Sequence, residues 1–132
     1  MLYLATPYAH NDPAVMEKRY HASCRAAAKL LKSGIVVINP LANTIPTIEF
    51  GGLELEHDEF LKIDLQILRR CDEVLILGLD QWEKSDGVRL EMFEAMALRK
   101  PITLIEESDI ESFPGLPKTA KTYLTSTLFH VQ

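Results

Sequence analysis

The residues best suited to do chemistry lie in Asp72–Glu91, DEVLILGLDQWEKSDGVRLE. A short apolar strand, Val74–Leu77, runs into a polar loop that ends in Ser85-Asp86-Gly87, where a helix begins. A turn of this kind leaves backbone N–H groups free for an anion. Open α/β sheets hold their ligands at such junctions. Glu91 falls four residues after Gly87, on the same helix face, so its carboxylate can reach whatever the turn holds. That combination fits a nucleophile or base aimed at a phosphorylated or polyhydroxyl small molecule. The plainer readings are a solvated Glu91 and a Ser85 that simply caps its helix. Capping and phosphate binding use the same free N–H groups, so one does not exclude the other.

These residues need a scaffold, and the rest of the chain predicts one. Leu2–Ala5 reads as a first strand, followed by the loop Thr6–Asp12. Asp12-Pro13 is a helix start, with Asp as N-cap and Pro at the first helical position. The helix runs through Ala14–Lys32 and stops at Gly34. Ile35–Ile38 is the second strand, ended by Asn39-Pro40. Leu41–Leu55 has no clear periodicity and reads as a long irregular segment, of the kind that serves as a lid or binding loop. Glu56–Arg70 is a helix with the apolar stripe Phe60, Ile63, Ile67 and Leu68. After the Val74–Leu77 strand come a helix over Gly87–Arg99 and a fourth strand over Pro101–Ile105. The tail holds an acidic loop, Glu106–Glu111, and a short helix around Pro117–Leu128. The order βαβαβαβα predicts one doubly wound, Rossmann- or flavodoxin-like α/β domain of three layers. Its parallel sheet should have four to five strands. The strand ends at Ala5-Thr6-Pro7, Asn39-Pro40 and Gly78 then gather along one sheet edge with Ser85–Gly87.

Composition narrows the possibilities. The 132 residues suit a single domain, 1–132, with 106–132 as a C-terminal extension. The formal charge of −5 argues against a nucleic-acid partner, which usually needs a basic face. No apolar run approaches the roughly 20 residues of a membrane helix. The start MLYLATPY lacks the basic region of a signal peptide. Cys24 and Cys71 fit reduced core thiols in a cytoplasmic protein, and with His10, His21, His57 and His130 they form no metal-ligand spacing. No metal and no cofactor is expected.

In its motifs the chain resembles the nucleoside 2-deoxyribosyltransferase-like superfamily. Tyr3-Leu4-Ala5-Thr6-Pro7 resembles the family's opening strand and loop. Asp64 and Asp72 resemble its paired-Asp element between helix and strand. Ser85-x-Gly87-x-x-x-Glu91, with Ala95 and Lys100-Pro101, resembles its phosphate turn and catalytic helix. The likeness covers residues 1–105. It is nearest a small, mostly uncharacterised branch typified by a Thr-Pro-Tyr opening, which Leu79-Asp80-Gln81-Trp82 and Ser85-Asp86-Gly87 also fit. The resemblance implies Glu91 as nucleophile at an anomeric carbon. It implies Asp64 as the group that orients or protonates the leaving base, and Tyr3 as a hydrogen-bonding neighbour of the nucleophile. Thr6, Pro7, Asn39, Trp82, Ser85 and Gly87 become substrate-binding residues. Two positions depart from the pattern: Thr6 replaces the usual Gly, and Glu94 stands where Gly is common.

Retaining glycosyl transfer uses one carboxylate as nucleophile and a second acid for the leaving group. Glu91 and Asp64 can fill those roles if their helices face one pocket. Two functions follow. One is a nucleoside or nucleotide N-glycosyl hydrolase or deoxyribosyltransferase; the other is a binding module that keeps the pocket without turnover. Several residues also have structural readings. Asp64 can bond a neighbouring backbone group, Tyr3 can be plain core, Trp82 can cover the sheet edge, and Asp72 can close a turn. His10 and Arg19 can meet an anion or stay solvated. The resemblance and the apolar stripe of Glu56–Arg70 also predict a homodimer or larger assembly.

Overall fold

The computed structural model describes residues 1–112 and 121–123. Strands β1 (Leu2–Ala5), β2 (Val37–Ile38), β3 (Glu73–Gly78) and β4 (Ile102–Glu106) are parallel, and β5 (Lys121–Tyr123) runs antiparallel to β4. Their order is β2-β1-β3-β4-β5. Helices α1 (Pro13–Lys32), α2 (Pro40–Gly51), α3 (His57–Arg69) and α4 (Asp86–Ala97) connect them, with 3-10 turns at Trp82–Lys84 and Glu107–Ser112. Leu2 sits between Val37 and Glu73, and Val74 sits beside Ile102, so the four parallel strands start in step.

Side chains alternate along each strand, so every strand feeds two cores. Tyr3, Ala5, Val74, Ile76, Ile102 and Leu104 face Leu68 of α3 and Val88, Ala95 and Met96 of α4. Leu2, Leu4, Leu75, Leu77 and Ile105 face Ala22, Ala26 and Leu30 of α1, together with Ile110. The result is the expected three-layer α/β fold. From β1 the chain crosses to β2 on one side and later returns to β3 on the other. The order therefore reverses between β1 and β3, and a crevice opens beyond Ala5 and Gly78, where doubly wound folds bind ligands.

Local sequence explains the helix ends. The Asp12 carboxylate accepts the Ala14 N–H at 2.9 Å, and Pro13 opens α1. At the far end Gly34 takes φ +87. The Ile35 and Gly34 N–H groups then bond the Leu30 and Leu31 carbonyls, both at 3.0 Å, which completes a Schellman cap.

Several elements differ in type or bounds from expectation. The segment expected to be irregular forms α2 over Pro40–Gly51. This helix buries only Pro40 and leaves Phe50 82% exposed, so it has no buried stripe to read. Pro46 further masks it, since it lacks the N–H that would bond the Ala42 carbonyl. The short helix expected around Pro117–Leu128 is replaced at Lys121–Tyr123 by β5; the rest of that segment lies outside the described residues. The sheet is accordingly mixed, with four parallel strands and one antiparallel edge. Strand β2 is also shorter than the expected Ile35–Ile38, and Glu106 closes β4 instead of opening a loop.

Candidate active site

The inner side of α4 carries Val88, Glu91, Ala95 and Met96. Val88, Glu91 and Ala95 follow the spacing of a core-facing stripe, so a carboxyl occupies a position that an apolar side chain would fill. Glu91 is 6% exposed. Tyr3, from the strand beneath, faces it, and Asp64 of α3 is near enough for the two carboxyls to repel. Burial pushes Glu91 up from the usual carboxyl range to about 8; the Tyr3 hydroxyl pulls it partly back and the Asp64 charge adds to the rise. Burial alone lifts Asp64 to about 6. The Tyr3 phenol is raised by burial first and then by Glu91 and Asp64. Although the Tyr3 hydroxyl acts on Glu91, the contact falls outside regular hydrogen-bond geometry, so the buried hydroxyl keeps an unfilled bonding capacity.

An ion pair ties the two helices that bring these carboxyls together. Arg69 of α3 meets Glu94 of α4 at 2.6 Å, about one turn beyond Asp64 and Glu91. This pairing accounts for Glu94, one of the two departures from the family pattern.

The other expected residues separate into two groups. Thr6 and Pro7 directly follow β1, and the Thr6 hydroxyl is buried without a partner. Ser85 caps α4, its Oγ accepting the Val88 N–H at 3.2 Å. A Cβ on Gly87 would meet nothing closer than Ser85 Oγ at 3.9 Å, so packing does not require glycine there. Trp82 is half-buried against the same core as Tyr3. Asn39 does not join them. Its Nδ2 donates to Ser23 Oγ of α1 at 3.0 Å, on the sheet face opposite Glu91, while Ser23 donates to the Tyr20 carbonyl at 2.6 Å. Asp72 is structural: it pairs with the Met1 ammonium. His10 Nδ1 accepts the Asp12 N–H at 2.9 Å.

Sequence reasoning missed two roles. Ser23 fixes the Asn39 amide, and Arg19 reaches both loops at the crevice: its guanidinium donates to the Tyr8 and Ala9 carbonyls and to that of Asp80. No local pattern marks either, because their partners are distant in sequence or are backbone atoms. Two surface clefts are present among the described residues. One of about 210 Å³ is bounded by His10, Lys18, Arg19, Asp80 and Glu107. One of about 370 Å³ is bounded by Met1, Ile38, Ile63 and Ile67. Among the described residues no group of three or more His, Cys, Asp and Glu side chains is arranged to hold a metal ion. No helix there is long and apolar enough to cross a membrane.

The sheet order and its switch point define an open, doubly wound α/β protein. A solved structure of a 2-deoxyribosyltransferase from the psychrotolerant bacterium Bacillus psychrosaccharolyticus superposes with a TM-score of 0.61. It is 23% identical, over 93% of this chain and 98% of that one. Within this fold the chain belongs to the family described as Domain of unknown function (DUF1937), whose model matches residues 1–107. No curated protein sequence matches it significantly.

Proposed function

We propose that the chain is a nucleoside or nucleotide N-glycosyl hydrolase or deoxyribosyltransferase that acts through Glu91. The observation that carries this reading is a buried carboxyl placed against a second carboxyl and an underbonded tyrosine hydroxyl. Burying such a group costs stability, so its presence there points to a purpose. In this reading Glu91 attacks the anomeric carbon and the C–N bond breaks toward the base. The Glu91 proton passes to the Asp64 carboxylate and from there to the departing base, Tyr3 holds the Glu91 carboxylate, and water or a second base then takes the sugar and frees Glu91. Ser85 and the free N–H groups at the start of α4 hold the 5′ end. Thr6 and Pro7 line the sugar side, and Trp82 covers the base.

A second reading is a nucleotide-binding module without turnover. What favours it is the elevated Glu91 pKa, which keeps the carboxyl neutral in the free protein near pH 7. A neutral carboxyl binds but does not attack. One assay decides between them: release of free base from a panel of 2′-deoxynucleosides and their 5′-phosphates, with thermal shifts run on the same panel. Release by the wild type and its loss in Glu91→Gln supports the enzyme. Thermal shifts without release support the module, and neither response removes both readings.

The proposed setting is a homodimer or larger assembly in the cytoplasm. Free Cys24 and Cys71 suit a reducing compartment. Ile63, Leu90 and Phe93 leave apolar surface on α3 and α4. A monomeric mass by light scattering at micromolar concentration would overturn the assembly.

A further inference from the structure

We propose that Arg19 is a positioning residue that sets the gap between the two loops of the ligand edge. The inference rests on reading the crevice between β1 and β3 as that edge. Arg19 is half-buried on α1. Its guanidinium donates to the Ala9 carbonyl at 3.1 Å and the Tyr8 carbonyl at 3.4 Å, in the loop that leaves β1. It also donates to the Asp80 carbonyl at 3.3 Å, in the loop that leaves β3. One planar, permanently charged fork therefore spans the switch point, which an ammonium with a single nitrogen cannot do.

Both loops lead into the candidate site. The first carries Thr6 and Pro7 just after the strand that holds Tyr3. The second continues through Trp82–Lys84 to the Ser85 cap, and so sets where α4 and Glu91 begin. The second loop does not hold its shape by backbone preference, because Gln81, next to the bonded Asp80, takes φ +64. An outside tie at Asp80 supplies what the local sequence lacks. His10 and Lys18 border the same cleft, and neither makes such a bridge.

Hydrogen exchange read by mass spectrometry tests this on the full chain, with Arg19→Lys, Arg19→Met and the neighbouring control Lys18→Met. In both Arg19 variants the amides of Asp12 and Ala14 should exchange at least about tenfold faster, together with those of Trp82, Lys84 and Ser85. Core-strand amides and the Lys18→Met control should stay unchanged. Faster exchange in one loop alone, or in neither, overturns the proposal. If Arg19→Met fails to fold, Arg19→Lys decides by the same criterion. Any nucleoside that shifts the wild type should bind Arg19→Lys about tenfold more weakly at a temperature where both are folded, and unchanged affinity overturns the positioning role. If no nucleoside binds the wild type, the functional reading has failed, and the exchange data still decide whether Arg19 couples the loops.

Discussion

Glu91 and Asp64 together hold one proton between about pH 6 and about pH 8, and Glu91, with the higher pKa, keeps it. This has a consequence for stability. An acid whose pKa is higher folded than unfolded binds more protons in the native state. Stability therefore falls as pH rises from the unfolded value near 4.5 through about 8. Glu91→Gln removes the ionisation. It should raise the melting temperature little at pH 4, and by an amount that grows with pH to the equivalent of a few kcal/mol by pH 9. A melting-temperature difference that stays flat from pH 4 to pH 9 would contradict the burial of Glu91 as an acid. Catalysis gives a separate signature. If the singly protonated pair is the working form, kcat/KM for base release should follow a bell with limbs near 6 and 8. Asp64→Asn should remove the alkaline limb, because the group that gives the base its proton no longer ionises, and leave a rise with pH set by Glu91. The sequence singled out Glu91 by its place four residues after Gly87 at a helix start; that it stands among the core-facing residues of α4 is visible only in the structure. The bond of the Asn39 amide to Ser23 was not legible, because a position at a strand end says nothing about which sheet face its side chain will take.

At the scale of elements, two backbone positions test how the scaffold holds its shape. Gly78 ends β3 where a Cβ would lie 2.9 Å from the Ile105 carbonyl oxygen, so β3 and β4 can close only over a glycine. Gly78→Ala should cost about 1–3 kcal/mol in denaturant unfolding, and an unchanged midpoint would show that the strands part freely. Arg99 ends α4 with φ +56, and the Lys100 and Arg99 N–H groups bond the Ala95 and Met96 carbonyls. This is a Schellman cap with arginine where glycine is at ease. Arg99→Gly should stabilise by about 1 kcal/mol, seen as a rise of a few degrees in melting temperature. The strands were legible as apolar runs, α1 and α4 by the turn and capping residues that start them, and α3 by its apolar stripe, although of that stripe only Leu68 is buried. Helix α2 was not, because a helix that buries one proline leaves no period to find. Strand β5 was hidden for a related reason: its three residues are held by pairing with β4, which no local pattern reports.

Over the whole molecule, the sheet divides two different interiors. The α1 face is built on apolar side chains, with the Ser23–Asn39 bond and the buried Asp109 beside them. The α3–α4 face holds Tyr3, Asp64 and Glu91, all with raised pKa values. The fold class followed from the alternation of elements, but this division did not. It depends on which residue of each strand faces which helix. The division means that selection for thermal robustness and selection for activity would pull this chain apart at one layer only. A library of single substitutions, ranked by resistance to heat alone, should gain from Tyr3→Phe and from apolar replacements of Glu91, each by about 1 kcal/mol or more. The same ranking should reject nearly every change at Ala22, Ala26, Leu30 and Leu75. Gains spread evenly over both faces would mean that the buried carboxyl is ordinary packing. Gains confined to the α3–α4 layer would mark the functional half of the protein before any ligand is in hand.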